Sequence, residues 1–294
     1  MVIGSRWSPL PSPAHNPSIA GVALGPAPEA ELLPGQLAAY LRRLGLERAE
    51  RPSLPFLTRL QRRHLLRVPF ENLDIFWGKP IPLDVQRAWS KVMDLRRGGF
   101  CYELNGLFAS ALSALGFHVS LLSARVWRKA ERNWGPEFDH LTLAVTLDQT
   151  YLVEVGFGDA FRAPMPLSTG VQSDVSGTYR LVEGEWPDEL VLEHAVRNHW
   201  RSLYRVSREP RALQSFAGMN SWHQTASASP FTGHAVFTLA RPWGRLTLTD
   251  RNAIETRNGR IHRVRLRAGE LERRLRRLYG VRGALGHAAS TMAA

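Results

Sequence analysis

Apolar residues recur every three to four positions between residues 34 and 118. This is the period of helices that bury one face. The pattern predicts a helical subdomain with three helices: one near residues 35–45, one capped by Ser53 with Pro55 in its first turn, and one from about Cys101 to Leu115.

From residue 119 the period changes to two, as in strands with one buried face. Alternating runs predict strands at 119–127, 140–147, 151–157, 178–182, 189–193 and 201–206. Short strands of this kind favour a β-barrel or a strongly curved sheet over residues 119–215. Residues 216–294 are interpreted as an α/β third part, with strands near 234–240, 244–249 and 260–266, an Asn258-Gly259 turn and a closing helix at about 268–279.

Composition adds limits to this α+β picture. The 294 residues are 44% hydrophobic, enough for two or three packed subdomains with a sizeable core. Residues 1–33 are rich in Pro, Ala and Gly without periodicity, which predicts a flexible extension or a misassigned start. A single cysteine excludes an internal disulfide, the first residues lack an export signal, and no apolar run is long enough to span a membrane. We therefore expect a cytoplasmic protein without a membrane partner.

The formal net charge of +12 raises the question of nucleic-acid binding. Much of the charge is arginine outside the apolar stripes of two predicted helices: Arg42 and Arg43 in the first, and Arg273, Arg274, Arg276 and Arg277 in the last. Solvated helix faces account for this distribution, so no nucleic-acid partner is expected. A basic surface instead attracts a small anion such as a phosphorylated cofactor.

The only cysteine, Cys101, opens the third predicted helix directly after Gly98 and Gly99. The first turn of a helix favours an anion, and Arg96 and Arg97 add positive charge, so we expect the pKa of the thiol to fall. A lone cysteine is more often a small buried hydrophobe. The two glycines favour catalysis, because close approach of backbone to a ligand is not needed around a space-filling side chain.

A nucleophilic thiol needs a base and a group that orients the base. His140 opens a strand after a polar loop, where an imidazole can face a cleft, whereas His64 lies near an apolar helix face and is interpreted as structural. Glu154 is the single carboxylate of an apolar strand and needs a cationic partner if buried; on an edge strand it would face solvent. His194 and His199 are five residues apart, which fits neither helix nor strand spacing, so no metal site is expected.

Simple hairpin geometry does not join His140 to Glu154. If Asp148 to Thr150 form the turn, Ala144 pairs with Glu154, and His140 lies four residues further along the same face, roughly 13 Å away. A bulge, a sharp twist or a different register is needed for contact.

Five segments, in order, make the chain resemble the arylamine N-acetyltransferases over about residues 37–278. They are LRVPFENL at 66–73, RGGFC at 97–101, DHL at 139–141, VEVGFG at 153–158, and MNSWHQT at 219–225 with SPF at 229–231. The resemblance implies an N-terminal helical bundle with the nucleophile (34–118), a central β-barrel (119–215) and a C-terminal α/β lid (216–294). It also implies a papain-like or transglutaminase-like catalytic core.

The resemblance further implies two-step transfer of an acetyl group from acetyl-CoA, through Cys101, to an arylamine, arylhydroxylamine or hydrazine. Cys101 is then the nucleophile, His140 its base and Glu154 the group that orients His140. The family usually has Asp where this chain has Glu154, and the added methylene moves the carboxylate by roughly 1.5 Å, which can reduce or alter activity. Asp159 is a less favoured substitute, because it lies beyond Gly158 with the opposite strand parity.

Other positions take roles from the same resemblance. Phe157 and Phe231 resemble the aromatic lining of the acceptor pocket. The expected acetyl-CoA positions are Gly158, in the turn that approaches the pyrophosphate, and Asn220, Trp222, Thr225 and Ser229, along the CoA cleft. Ordinary packing and turn chemistry also account for these residue types.

Three alternative functions stay open at this level. One is a related amide-forming acyltransferase, an amide synthase, that uses a larger acyl thioester. Another is a thiol hydrolase with the same triad. The third is a catalytically impaired homologue that binds a ligand, against which the intact RGGFC segment argues.

Overall fold

The structure is a computed structural model, and it describes residues 32–280. The expected flexible extension lies outside the described residues apart from Leu32 and Leu33, and so does the end of the lid, residues 281–294. The described part confirms the α+β class, with a helical part, a nearly closed barrel-like sheet and an α/β lid. The domain boundaries after residues 118 and 215 stay predictions. No helix within 32–280 is long and apolar enough to cross a bilayer.

The helical part consists of α1 (Pro34–Leu44), α2 (Leu54–Arg67), β1 (Phe70–Glu71), α3 (Leu73–Phe76), α4 (Val85–Met93) and α5 (Cys101–Ala114). The predicted cap of α2 is confirmed, because Phe56 N–H donates to Ser53 Oγ (3.4 Å). The sequence pattern missed α4, which Asp84 caps by accepting two backbone N–H groups. Nearly every side chain of α5 is buried, so it is the central helix of the core.

The barrel-like sheet has strands in the order β6-β5-β4-β2-β10-β9-β8-β7. Their bounds are β2 (His118–Arg128), β4 (His140–Thr146), β5 (Thr150–Val153), β6 (Met165–Pro166), β7 (Gly170–Asp174), β8 (Gly177–Glu183), β9 (Glu189–Val196) and β10 (His199–Arg211), and the short β3 (Asn133–Trp134) pairs with β2. The apolar pattern did not predict β7, because all five of its residues are exposed or half-buried.

The hairpin between β4 and β5 turns one residue earlier than expected, which shifts the pairing of the two strands by two residues. Thr146 pairs with Thr150, and continuing the ladder one position beyond its last pair places Thr142 opposite Glu154. The expected offset of four residues between His140 and Glu154 is therefore wrong, and the observed offset is two. On a strand this halves the separation of the two backbones.

The lid consists of α6 (Ala217–Thr225), β11 (Val236–Arg241), β12 (Gly244–Thr249), β13 (Asn252–Arg257), β14 (Arg260–Arg265) and α7 (Glu270–Tyr279). Its sheet has the order β1-β11-β12-β13-β14, so the helical part contributes the first strand. The Asn258-Gly259 turn is confirmed, with φ angles of 47° and 76°. The pattern missed β13, in which Ala253 is the only buried residue.

The loop that follows β5 is fastened to the lid. Arg162 is buried, and its guanidinium donates to the carbonyls of Arg241 (2.7 Å) and Gly244 (2.5 Å). Arg245 donates to Asp159 (2.8 Å) beside this contact. The segment that carries Glu154 is thereby held between the barrel-like sheet and the lid.

Candidate active site

The loop before α5 is shaped by close backbone contact with β1. Glu71 N–H donates to Gly99 O (2.8 Å), and a Cβ on Gly98 would lie 1.8 Å from Pro69 O. Only glycine fits at position 98 without displacing this backbone. The contact fixes where α5 begins and therefore where Cys101 lies.

The two arginines before Cys101 do not act as the sequence suggested. Arg97 Nε and Nη2 donate to the two carboxylate oxygens of Glu71 (2.9 and 3.0 Å), and Nη1 donates to Asp74 (2.6 Å). Arg96 is exposed. The charge of Arg97 is thus neutralised within a buried ion cluster instead of acting on the thiol.

Burial raises the pKa of the Cys101 thiol above its ordinary value of 9.0. Hydrogen bonds from the backbone of Leu141 and Tyr102 oppose this shift, and the carboxylate of Glu154 adds to it. The expected fall in the pKa is therefore wrong for the free protein: the thiol is only 3% exposed, and desolvation outweighs the helix dipole. A thiolate here needs a cation formed beside it.

His140 and Glu154 form a buried pair. His140 Nε2 lies 2.7 Å from Glu154 Oε2, and the two side chains are 3% and 2% exposed. The alternative that Glu154 faces solvent from an edge strand is wrong. The added methylene of glutamate does not prevent a short hydrogen bond to the imidazole.

Several further donors hold Glu154. Its Oε1 accepts hydrogen bonds from Asn105 Nδ2 (2.9 Å) and Gly156 N–H (2.7 Å), and Tyr204 O–H lies 3.5 Å from Oε2. Burial acts to raise the pKa of Glu154, but His140 and the hydrogen bonds from Asn105 and Gly156 lower the pKa below its ordinary value of 4.5. The carboxylate is therefore ionised and fixed in orientation.

Asn105 is a site residue that the sequence reasoning missed. Its Nδ2 also donates to Leu141 O (2.6 Å), and its Oδ1 accepts Val155 N–H (3.1 Å). These bonds end β5 at Val153 instead of at 157, because the chain turns toward α5 there. The signal was its position four residues after Cys101, which places both side chains on one face of the helix.

Cys101 and His140 line one cavity, which encloses about 400 Å³. Three of the other lining residues are polar, namely Arg128, Asp139 and His223, and the rest are apolar side chains and one glycine: Phe70, Val126, Trp127, Gly156, Phe157, Pro230, Phe231 and Val236. Phe157 and Phe231, the two residues expected in the acceptor pocket, both line this cavity.

The residues expected along the CoA cleft are close in sequence to residues that line this cavity, but they do not line it themselves. Gly158 has a φ of 87° and follows Phe157, and Trp222 packs against the Arg128 guanidinium (5.4 Å from its ring centroid). Three others donate to backbone carbonyls: Asn220 to Ile81, Thr225 to Ser221 and Ser229 to His223. Their roles in binding stay predictions.

Asp159, the less favoured substitute for Glu154, is 70% exposed and paired with Arg245. Among residues 32–280, no group of three or more His, Cys, Asp or Glu residues could hold a metal ion.

Known proteins resemble the chain along most of its length. A family model described as N-acetyltransferase matches residues 53–284. The arylamine N-acetyltransferase of Mycolicibacterium smegmatis is 36% identical over 237 residues, which cover 78% of this chain and 85% of that protein. The arylamine N-acetyltransferase of Escherichia coli K12 is 32% identical over 223 residues, 75% of this chain and 79% of its own length.

Solved structures of arylamine N-acetyltransferases also match most of this chain. The arylamine N-acetyltransferase of Mycobacterium abscessus matches with a TM-score of 0.79 at 32% identity, covering 85% of this chain and 91% of that one. The Mycobacterium marinum arylamine N-acetyltransferase in complex with CoA matches with a TM-score of 0.77 at 32% identity, covering 83% and 92%.

Proposed function

Because this chain belongs to the arylamine N-acetyltransferase family, we propose that it transfers an acetyl group from acetyl-CoA to an aromatic amine through a thioester on Cys101. The observation that carries the proposal is the 2.7 Å contact between His140 and Glu154 beside a cavity that Cys101 also lines. A thiol, an imidazole and a carboxylate form a nucleophile, its base and the group that orients the base.

In the first half-reaction, Cys101 Sγ attacks the acetyl carbonyl of acetyl-CoA while its proton passes to His140. The bond from the acetyl carbon to Cys101 forms, and the bond to the CoA sulfur breaks. The departing CoA sulfur takes the proton from His140. Between the two proton transfers, Glu154 stabilises the imidazolium of His140. The raised pKa of the buried thiol is then less of a barrier, because the negative charge on sulfur and the positive charge on His140 form together in one pocket.

In the second half-reaction, the acceptor amine attacks the thioester. The C–N bond forms, the bond to Cys101 sulfur breaks, and His140 moves the amine proton to that sulfur. Both steps use the same thiol and the same His140–Glu154 pair. The CoA product therefore leaves before the amine reacts, which is a ping-pong order.

The lining of the cavity suits an aromatic acceptor. Phe157 packs edge-on against His140 with ring centroids 5.2 Å apart, and Phe231 from the lid also lines the cavity. A cavity of about 400 Å³ accommodates a small aromatic amine or hydrazine. Flat apolar rings favour such molecules through stacking and burial of apolar surface.

For the acyl donor, we propose the margin of the cavity formed by Gly158 and α6. Gly158 has a φ of 87°, which glycine adopts without strain, and its backbone is half-buried beside Phe157. Asn220, Thr225 and Ser229 have their side chains engaged with backbone carbonyls, so their contribution is the shape of α6 and of the turn after it.

The decisive experiment is intact-protein mass after mixing with acetyl-CoA, followed by addition of an arylamine. The wild-type protein gains one acetyl group and releases CoA, and the amine then removes the acetyl group. Cys101→Ala gains none, while Asp159→Asn, an exposed carboxylate near the same loop, behaves as wild type. A wild-type protein that forms neither adduct nor free CoA contradicts the proposal.

A further inference from the structure

The cavity contains a second histidine–carboxylate pair, which the mechanism above leaves unused. His223 on α6 lies with its Nε2 3.0 Å from Asp139 O and 3.4 Å from Asp139 Oδ1. Its ring lines the same cavity as Cys101 and His140. The adjacent residues Asp139 and His140 thus belong to two different pairs at one site.

The contacts of His223 fix its tautomer. A backbone carbonyl can only accept, so Nε2 carries the hydrogen, and Nδ1 of the neutral ring carries a lone pair. Burial lowers the pKa of His223 below 6.5, and Arg128 and His140 lower it further, whereas Asp139 raises it. The ring is therefore neutral near pH 7, with Nδ1 as an acceptor.

That acceptor has no partner in the described part of the chain. His223 is 2% exposed, and its Nδ1 is buried without a hydrogen bond. The rings of Tyr102 and Phe231 pack around it, with centroids 6.0 and 5.0 Å away, and the Tyr102 hydroxyl already donates to Phe138 O (2.6 Å). Burying an unsatisfied acceptor costs about 1–3 kcal/mol, so a donor from a bound ligand is the expected compensation.

Resting on the function proposed above, we propose that His223 Nδ1 accepts a hydrogen bond from the acceptor's amino group while that nitrogen attacks the thioester on Cys101. A primary aromatic amine or a hydrazine has two hydrogens on the attacking nitrogen. One passes as a proton to His140, and the other is held by His223. The two histidines then orient the nitrogen lone pair toward the acetyl carbon, and no proton moves to His223.

This role makes His223 specific to one class of acceptor. A CoA thiol that takes the acetyl group back from Cys101 has a single S–H, whose proton goes to His140. Acetyl exchange between enzyme and CoA therefore does not need His223. A secondary amine has one N–H and cannot satisfy both histidines, so primary amines are preferred.

The test compares wild type with His223→Phe. Phenylalanine keeps a flat ring at this position and has no nitrogen or oxygen that accepts a hydrogen bond. Three rates are measured: acetylation of Cys101 by acetyl-CoA, acetyl exchange with labelled CoA, and transfer to aniline. We expect transfer to aniline to fall by about tenfold or more, with acetylation and exchange nearly unchanged. His234 is an exposed lid histidine that pairs with Asp250, and His234→Gln should change none of the three rates.

A measurement on the wild type covers the case in which the variant does not fold. Aniline should be acetylated at least about tenfold faster than N-methylaniline, and His223→Phe should bring the two rates closer together. Equal wild-type rates for the two amines overturn the proposal.

Three other outcomes also overturn it: an equal fall in all three rates, a fall in exchange alone, or no change in any rate. If wild type forms no acetyl-enzyme at all, the proposed function has failed before any variant is compared, and this inference fails with it.

Discussion

Arg97 binds Glu71 through two parallel hydrogen bonds, 2.9 Å from Nε to Oε1 and 3.0 Å from Nη2 to Oε2, and both side chains are buried. The pair joins the VPFENL segment to the RGGFC segment. Lys91 completes the cluster by donating to Glu103 (2.9 Å), whose carboxylate also accepts Phe100 N–H at the start of α5. The position of Cys101 thus depends on a buried network of charges.

Replacing Arg97 with methionine should destabilise the fold by about 3–5 kcal/mol, because Glu71 loses its bidentate partner and stays buried. Urea unfolding measures this change. Arg59→Met removes an exposed ion pair with Glu50 and should cost less than about 1 kcal/mol. Similar losses in the two variants would show that burial of the Arg97 pair adds nothing.

Glu154→Gln should slow acetylation of Cys101 by about a thousandfold, since the amide cannot stabilise the imidazolium of His140. Single-turnover mass spectrometry with acetyl-CoA measures the rate. Asp159→Asn, which alters the other carboxylate of the same loop, should leave it unchanged. If Asp159→Asn slowed the acetylation of Cys101, the carboxylate that orients His140 would be Asp159 and not Glu154.

Glu154→Asp should also be slower than wild type, by about tenfold, although the family usually has aspartate here. The backbone after Val153 is bent by its bonds to Asn105, and the carboxylate of a shorter side chain would retract by roughly 1.5 Å from His140. The same single-turnover assay tests this. An aspartate variant as fast as wild type would show that the loop adjusts to either length.

His64 should make the fold sensitive to acid. It is fully buried, its Nδ1 lies 2.5 Å from Tyr40 Oη, and burial lowers the pKa of His64 to about 3. Below pH 6.5 the unfolded chain binds a proton that the folded chain does not, so the stability is present above that pH and is lost as pH falls toward 3. The loss is about 1.4 kcal/mol per pH unit.

His64→Gln should flatten this dependence, because glutamine does not titrate and can still accept from Tyr40. The free energy of unfolding between pH 7 and pH 4 measures the slope. His234→Gln, which changes an exposed histidine, should keep the wild-type slope. Identical slopes in wild type and His64→Gln would contradict the assignment.

Gly156→Ala should disrupt the site. A Cβ at this position would lie 2.6 Å from Asn105 Nδ2 and 2.9 Å from Cys101 Cα, so the loop or α5 must move. We expect slower acetylation of Cys101 and a loss of about 1–3 kcal/mol of stability. Gly218→Ala on α6 meets no atom within 4 Å and should be neutral or slightly stabilising. Normal acetylation by Gly156→Ala would show that the close contact is not required.

The sequence by itself determined the local features. The apolar periods located α1, α2, α5, α7 and most strands. Ser53 and Asn258-Gly259 marked a helix start and a turn, and a single cysteine at a helix start marked the candidate nucleophile. Such features depend on a few neighbouring residues, and their signals are therefore contained in short stretches of chain. His140 and Glu154 were candidates on the same local grounds, and the family resemblance implied that they act together with Cys101.

Only the tertiary structure decided how those parts act together. The hairpin turns one residue earlier than expected and pairs Thr146 with Thr150, which shifts the pairing of its strands by two residues. Together with the hydrogen bond from Asn105 on α5, this brings Glu154 to His140. The pKa of Cys101 rises because the surrounding elements exclude water, and that burial outweighs the local helix and arginine charges. Asn105 and His223 entered the site through contacts across 49 and 84 residues of sequence. Solvent exclusion and long-range contacts exist only once the chain has folded, so no local pattern contains them.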